Sequence, residues 1–175
     1  MTVNTQKIQM LKPGTLLLLA FLFFSLPVAA INLTVTGDIQ NWALTPGSDN
    51  EDAHSITLNV SSANSSWTVS VVDNLDGGKN STSAGKMLEY NSTTGWINAG
   101  NVLTNYLRVL GGSGDGITGS PATLGSGSNL IETGFAPADE KQMNITVQQQ
   151  VTASDPRLVN GSVYRVVLTF IGGET

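Results

Sequence analysis

The sequence predicts an all-β protein, specifically an antiparallel two-sheet β-sandwich of the Ig-like or Greek-key type with about seven to nine strands. Three observations support this fold class. Apolar and polar residues alternate with a period of two through much of the chain, no segment shows a convincing amphipathic helical period, and Gly, Asn and Pro mark turns between the alternating segments. No repeat of fixed period occurs, which argues against a solenoid.

The first half of the chain contains three predicted strands. Residues 33–35 form a short strand, and residues 56–60 and 67–71 alternate cleanly. The turn-rich residues 61–66 connect the last two strands, so we expect these strands to pair as a hairpin. Trp67 begins the third strand at an apolar position, which predicts that its ring fills the core.

The second half of the chain contains one ambiguous segment and the two longest predicted strands. Residues 103–110 also fit helical spacing. Residues 111–116 are rich in Gly, which predicts a flexible connection that neither a helix nor a central strand would tolerate. Residues 144–151 and 163–171 alternate over long stretches, so each is predicted to form one long strand.

The N-terminal residues 1–30 have the organisation of an export signal. Lys7 and Lys12 supply positive charge, and residues 16–26 form the apolar run that becomes the signal-peptide helix. The sequence therefore predicts a signal peptide followed by a single β-sandwich domain over residues 31–175, and an extracellular or cell-surface location.

The predicted cleavage site lies before Ile31, because Val28 and Ala30 are the small residues that a signal peptidase accepts. A retained membrane anchor is one alternative, but residues 16–30 contain Pro27 and are shorter than the roughly 20 apolar residues that span a bilayer. A pilin-type leader is another alternative, and Pro27 also argues against its long uninterrupted helix. We therefore expect no stable membrane anchor after cleavage.

The composition excludes several classes of function. The chain has no Cys and one His, His54, which excludes disulfides, thiolate metal sites and a multi-histidine metal site within one chain. Loss of Lys7 and Lys12 with the signal takes the formal net charge from −5 to −7. An acidic chain without a basic stripe does not bind nucleic acid. No Gly-X-Ser-X-Gly nucleophile motif or singled-out carboxylate pair occurs, so we predict that the protein is not an enzyme.

Seven Asn-X-Ser/Thr motifs are candidate glycosylation sites. The acceptors are Asn32, Asn59, Asn64, Asn80, Asn91, Asn144 and Asn160. All of them lie in predicted turns or on the polar face of predicted strands, so each is expected to face solvent, as a glycan requires.

Two acidic stretches are candidate ligands for a structural Ca²⁺ ion, the one cofactor that the sequence suggests. The first holds Asp49, Glu51 and Asp52, in a segment predicted to be a loop that also contains His54, and the second holds Asp73 and Asp76. Ordinary Asp- and Gly-rich turns explain the same residues without any metal.

Two tryptophans lie beside predicted loops. Trp42 and Trp96 are therefore candidates for stacking on a saccharide, as in carbohydrate-binding modules.

Several short segments together resemble a known group of proteins. They are residues 41–47, 56–60 and 67–73 and the C-terminal residues 150–170. The chain resembles the small secreted surface proteins of methanogenic archaea, and more weakly the Trp-X-Leu cell-wall-binding proteins, whose signature Trp42-Ala43-Leu44 fits and Trp67-Thr68-Val69 does not. The archaeal resemblance implies a β-sandwich and no catalytic residue.

The sequence therefore predicts a secreted, glycosylated structural protein of a sheath, filament or surface layer. Its partner would be a second copy of the chain or another cell-surface protein. The contact would form along the long apolar strand edge of residues 163–171, or residues 31–37 would cross to a neighbour as an added strand. Intramolecular pairing of both segments is the alternative. A carbohydrate-binding or adhesion module that uses the two loop tryptophans is the alternative function.

Overall fold

The computed structural model describes residues 31–175 except residues 115, 126 and 160, so the predicted signal-peptide helix lies outside the described residues. The described residues form twelve strands and two single-turn 3₁₀ helices, Asp76–Gly78 and Ser81–Ser83. The strands are β1 (Asn32–Thr36), β2 (Asp49–Ser62), β3 (Trp67–Asp73), β4 (Leu88–Asn91), β5 (Gly95–Trp96), β6 (Arg108–Leu110), β7 (Ile117–Gly119), β8 (Pro121–Thr123), β9 (Asn129–Gly134), β10 (Ala138–Gln150), β11 (Ser162–Arg165) and β12 (Leu168–Glu174).

The strands form three antiparallel sheets, which confirms the all-β prediction. The five-stranded sheet has the order β1-β2-β10-β6-β8, the four-stranded sheet has the order β12-β3-β9-β7, and the three-stranded sheet has the order β11-β4-β5. The described residues contain more strands than the seven to nine predicted, because several strands of two to four residues are too short to show alternation.

The two larger sheets share one apolar core. Ile56, Leu58 and Val60 of β2 and Val69 and Val71 of β3 are buried, and the residues between them are half-buried. Buried side chains from β6, β7, β8, β9 and β10 join the same cluster. The period-two alternation therefore predicted the inward faces of the central strands correctly.

The expected hairpin between residues 56–60 and 67–71 is wrong. β2 pairs with β1 and β10, whereas β3 pairs with β12 and β9 in the other sheet. The chain therefore crosses from one sheet to the other between Ser62 and Trp67. Alternation alone does not distinguish a hairpin from such a crossing, because both present the same apolar face to the core.

The single long strand expected over residues 163–171 is instead two strands. β11 pairs with β4 in the small sheet, and β12 pairs with β3 along its whole length. Val166 and Val167 lie between the two strands, where the chain passes from one sheet to the next. The ambiguous residues 103–110 contain β6 and no helix, with Leu103 and Leu107 buried.

The two larger sheets meet at one side of the molecule. Ser120 alone separates β7 from β8, and its N–H donates to the carbonyl of Ile131 at 2.7 Å. Gly111 and Gly119 pass so close to each other and to β9 that a Cβ on either would overlap a backbone carbonyl. Glycine at these two positions is therefore required by close packing, and the expectation of a merely flexible connection misses this role.

The indole of Trp67 lies directly over Gly134 of β9. Trp67 has no exposed surface, and its Nε1–H donates to the carbonyl of Ala136 at 3.0 Å, which fixes the ring. A Cβ on Gly134 would overlap the indole. Trp67 thus fills the core, as the sequence predicts.

We expect Gly134→Ala to destabilise the protein by about 1–3 kcal/mol, because the added methyl group overpacks a fixed ring. Chemical denaturation measures the effect. Gly127→Ala is the matched control, since a Cβ there would have no neighbour within 4 Å. Equal stability of the two variants would contradict the tight contact between Gly134 and Trp67.

A carboxyl group is buried beside this core. The pairing of β3 with β9 shifts register between Val69 and Ser70, so Ile131 and Glu132 are both fully buried although they are consecutive. The Gly112 N–H donates to Oε1 of Glu132 at 2.8 Å, and Oε2 is buried with no hydrogen-bond partner among the described residues. Burial raises the pKa of Glu132 from 4.5 to about 7, and the Gly112 hydrogen bond lowers it less.

This pKa makes the stability fall as the pH rises. Between pH 4.5 and 7 the unfolded chain ionises at Glu132 before the folded protein does, so folding becomes less favourable by about 3 kcal/mol and stays so above pH 7. We expect Glu132→Gln to remove this loss, and hence to be more stable than the wild type at pH 8 but not at pH 4. Urea denaturation across this range tests it. Glu140→Gln, at an exposed position, is the control, and its free energy of unfolding should change with pH as that of the wild type does. If the free energy of unfolding of Glu132→Gln also followed the wild type across this range, the assignment to Glu132 would be wrong.

Candidate functional site

An apolar cleft opens at the side of the molecule opposite Ser120. It lies between β1, at one edge of the five-stranded sheet, and β12, at one edge of the four-stranded sheet. Its volume is about 790 Å³, which is within the range of ligand-binding cavities. We call it the lateral cleft, and its walls carry the half-buried side chains of Ile39, Trp42, Leu44, Val166, Leu168 and Phe170.

The floor of the lateral cleft is part of the core itself. Ile56, Leu107 and Val147 are buried and also line the cleft. The cleft is therefore a place where the core of the two larger sheets is incompletely covered. The strand edges that border it have no further strand partner among the described residues, because β1 and β12 are each terminal in their sheets.

The segment after β1 forms one wall of the lateral cleft. Gly37 has a φ of +86° and lies so close to the carbonyl of Ser55 that a Cβ would overlap it, so only glycine fits this turn. The side chain of Asn50 then holds the segment in place. Its Oδ1 accepts the Thr45 N–H at 2.6 Å, and its Nδ2 donates to the carbonyls of Thr45 and Gln149 at 3.2 and 3.0 Å.

The opposite wall of the lateral cleft carries polar groups from β11. The Tyr164 hydroxyl donates to the carbonyl of Pro156 at 2.7 Å. Burial, and then the negative charges of Asp155 and Glu89, raise the pKa of Tyr164 to about 12, so the hydroxyl stays protonated as a donor. The Arg165 guanidinium lies over the ring of Tyr90, 4.4 Å from its centroid.

The two candidate sugar-binding tryptophans occupy different environments. Trp42 is half-buried in the lateral cleft and packs against the core. Trp96 contacts Tyr90 edge to face, with centroids 5.2 Å apart, and the cations of Lys79 and Arg165 lie 5.5 and 5.7 Å from its centroid. Trp96 is half-buried, with protein groups against its ring. Saccharide binding by either residue stays a prediction.

The first acidic stretch is part of a strand, which contradicts the predicted loop. Asp49, Glu51 and Asp52 all belong to β2 and pair with β10. Gln148 donates to the carboxylate of Glu51 at 2.7 Å, and the Ser55 N–H and hydroxyl donate to that of Asp52 at 2.9 and 2.7 Å. These partners satisfy the two carboxylates separately. His54 is exposed on the same strand.

The second acidic stretch contains a buried ion pair that the sequence did not suggest. Nζ of Lys79 lies 2.5 Å from Oδ2 of Asp73, and neither side chain is exposed. The described residues contain no group of three or more His, Cys, Asp or Glu side chains arranged to hold a metal ion. Asp73 thus has a cation partner from the chain itself, and a Ca²⁺ site that includes Asp76 stays a prediction.

The predicted glycosylation acceptors differ in exposure. Three are exposed, namely Asn32, Asn64 and Asn144, and Asn160 lies outside the described residues. Three are half-buried, which is less exposure than the sequence predicts, namely Asn59, Asn80 and Asn91. The amide nitrogens of Asn80 and Asn91 donate to the carbonyls of Asn98 and Gly161 at 2.9 and 3.0 Å. Glycosylation itself stays a prediction.

Sequence reasoning missed most of the lateral cleft. Ile39 and Leu44 gave a faint signal, since they are apolar residues in a stretch without a strand pattern. Leu168 and Phe170 were assigned correctly to an inward face, but nothing in the alternation indicated that this face is incompletely covered. The burial of Lys79 had no local signal, because it follows two glycines in a stretch typical of exposed turns.

No helix in the described part of the chain is long and apolar enough to cross a membrane. No protein-family model matches the chain, and no curated protein or solved structure is significantly similar to it. The resemblance to secreted surface proteins of methanogenic archaea therefore stays a prediction. The function must be inferred from the lateral cleft and from the strand edges that border it.

Proposed function

We propose that the protein is an exported structural protein of the cell surface, folded as an antiparallel β-sandwich, whose copies assemble by exchanging β1. The observation that carries this proposal is the lateral cleft, where two strand edges without further partners in the described residues border an incompletely covered core. Exposed strand edges pair readily with other chains. The Ig-like connectivity and the carbohydrate-binding alternative remain predictions.

The anchoring of β1 supports exchange of this strand in particular. Four of its five residues are exposed, and the half-buried Leu33, together with Ile31 just before the strand, supplies its apolar contact with the core. β1 is therefore held largely by its backbone pairing with β2, from Asn32 opposite Ser61 to Thr36 opposite Thr57. An exchanged β1 regains these same bonds on the next copy.

The connection that follows β1 is long enough for such an exchange. Residues 37–48 contain no strand or helix, and Gly37 and Gly47 both have positive φ angles. Twelve residues span about 40 Å when fully extended. If export removes residues 1–30, β1 becomes the free N-terminal end of the mature chain and can leave its sheet without carrying another segment.

The surface chemistry favours an extracellular environment. The predicted mature chain has a formal net charge of −7. The outward faces of β2 and β10 carry Thr57, Asn59, Asn144 and Gln148, which are uncharged and polar. Such a surface suits a hydrated, glycosylated coat, and pairing of short strands is then the attractive contact between copies.

A disulfide trap tests the exchange directly, because the chain has no native Cys. Thr36 and Thr57 are partners in the β1–β2 pairing, so cysteines at both positions are close enough to bond. In Thr36→Cys with Thr57→Cys we expect oxidation to link different molecules. The result is a ladder of covalent multimers on a non-reducing denaturing gel, which reduction collapses to the monomer.

Thr68→Cys with Thr133→Cys is the matched control, since this pair joins β3 to β9 inside one sheet. It should form a disulfide within each molecule and run as a monomer. If the β1–β2 variant also ran as an oxidised monomer, or if wild-type protein sedimented as a monomer at every concentration, the assembly proposal would be wrong.

Export has its own test. Expressed from its full sequence in a host with a general secretion pathway, the protein should appear in the medium or at the cell surface with Ile31 as its first residue. N-terminal sequencing identifies that residue. Cytosolic retention, or a product that still carries residues 1–30, would contradict the proposed location.

A further inference from the structure

A lysine and an aspartate meet inside the protein where β3 ends. Asp73 is the last residue of β3, and Lys79 follows the 3₁₀ turn Asp76–Gly78. Their Nζ and Oδ2 atoms are 2.5 Å apart, and both side chains are completely shielded from solvent. Buried charges of this kind are rare, because removing each ion from water costs several kcal/mol.

The groups around the pair hold it in one arrangement. The Gly85 N–H donates to Oδ2 of Asp73 at 2.7 Å, and Nζ of Lys79 also donates to the carbonyl of Lys86 at 2.7 Å. The ring of Trp96 covers the amine from 5.5 Å. The lysine amine and the aspartate carboxyl group are therefore already in contact and held in place, shielded from solvent.

One oxygen of the Asp73 carboxyl group lacks a partner in the described part of the chain, and burial acts on the Lys79 amine. Oδ1 of Asp73 is buried with no hydrogen-bond partner among the described residues, whereas a carboxylate ordinarily has partners on both oxygens. Burial also lowers the pKa of Lys79, although the contact with Asp73 partly offsets this. Transfer of the ammonium proton to the carboxylate then leaves a free amine against a carboxylic acid.

We propose that Lys79 and Asp73 condense in the folded protein to form an intramolecular amide cross-link. The Nζ lone pair attacks Cγ of Asp73, so that the C–N bond forms. One carboxyl C–O bond then breaks, and the hydroxyl leaves with an amine proton as one molecule of water. The amide keeps one N–H, and the step needs no oxidant, reductant or co-reactant.

The contacts of Asp73 indicate where the protons go. Oδ2, the oxygen in contact with Nζ, takes two protons from the lysine in turn and leaves as water, and Oδ1 becomes the amide carbonyl oxygen. The Gly85 N–H donates to Oδ2 and holds the carboxyl group in place beside the amine. Oriented groups within one molecule react with effective concentrations of about 10⁵–10⁸ M, which favours condensation over the competing effect of solvent water.

Mass spectrometry of denatured, trypsin-digested protein tests the cross-link, using full-length protein exported from a host without N-glycosylation. Lys79 is the first Lys or Arg after Ile31. Because trypsin does not cut after an acylated lysine, we expect the N-terminal peptide of the mature chain to end at Lys86. Its mass should be lower than the sequence mass by one water molecule. A peptide of full mass that ends at Lys79 would overturn the proposal.

The controls separate the cross-link from other dehydration. A succinimide at Asp76-Gly77 loses the same water, but it leaves trypsin free to cut after Lys79. In Lys79→Met the peptide should end at Lys86 with its full sequence mass, and Lys86→Arg should still lose water. Loss of water that persists in Lys79→Met would place the modification elsewhere and refute the cross-link. If Lys79→Met does not fold, the mass of the wild-type peptide and the residue at which it ends still decide the proposal.

Discussion

The packing of β2 against β3 is the constraint on which the rest of the structure depends. The chain crosses between the two larger sheets within the few residues from Ser62 to Trp67, so two consecutive strands face each other instead of pairing. Each strand is interior to its own sheet, and both sheets therefore extend in the same two directions from this crossing. On one side the sheets are joined through Ser120 between β7 and β8. On the other side they end in β1 and β12, which leave the core open as the lateral cleft.

The strands and their inward faces could be predicted from the sequence, but their partners could not. Trp67 is buried as the alternation indicates, because a period of two specifies which face a side chain takes. It does not specify which strand lies alongside. The same limit explains why the alternation predicts one strand over residues 163–171, since Val166 and Val167 continue the apolar pattern through the point where the chain changes sheets. The consecutive burial of Ile131 and Glu132 depends on a register shift against β3, which a single strand does not encode.

The candidate sites were less predictable than the strands, because each is assembled from distant segments. The lateral cleft combines Trp42, Leu107 and Phe170, which are far apart in the chain. The pair of Asp73 and Lys79 is close in sequence, yet its burial depends on Gly85 and Trp96 from later segments. Local composition gave the opposite interpretation, since acidic and glycine-rich stretches are usually exposed turns. Such a stretch becomes chemically informative only when the fold removes it from water.

The acidity of the chain and the open edge at β1 are consistent with each other. Two copies of the predicted mature chain, each with a formal net charge of −7, repel each other, but at physiological ionic strength this repulsion decays over about 8 Å. Backbone pairing acts at strand separations of about 5 Å, inside that distance. A chance contact between two strand edges therefore gains only a few hydrogen bonds, and the charge repulsion opposes it. Exchange of β1 restores on the next copy the complete set of bonds with β2 that the closed molecule makes, and it covers Leu33 again. Charge thus disfavours unspecific aggregation at this edge while leaving the specific exchange accessible.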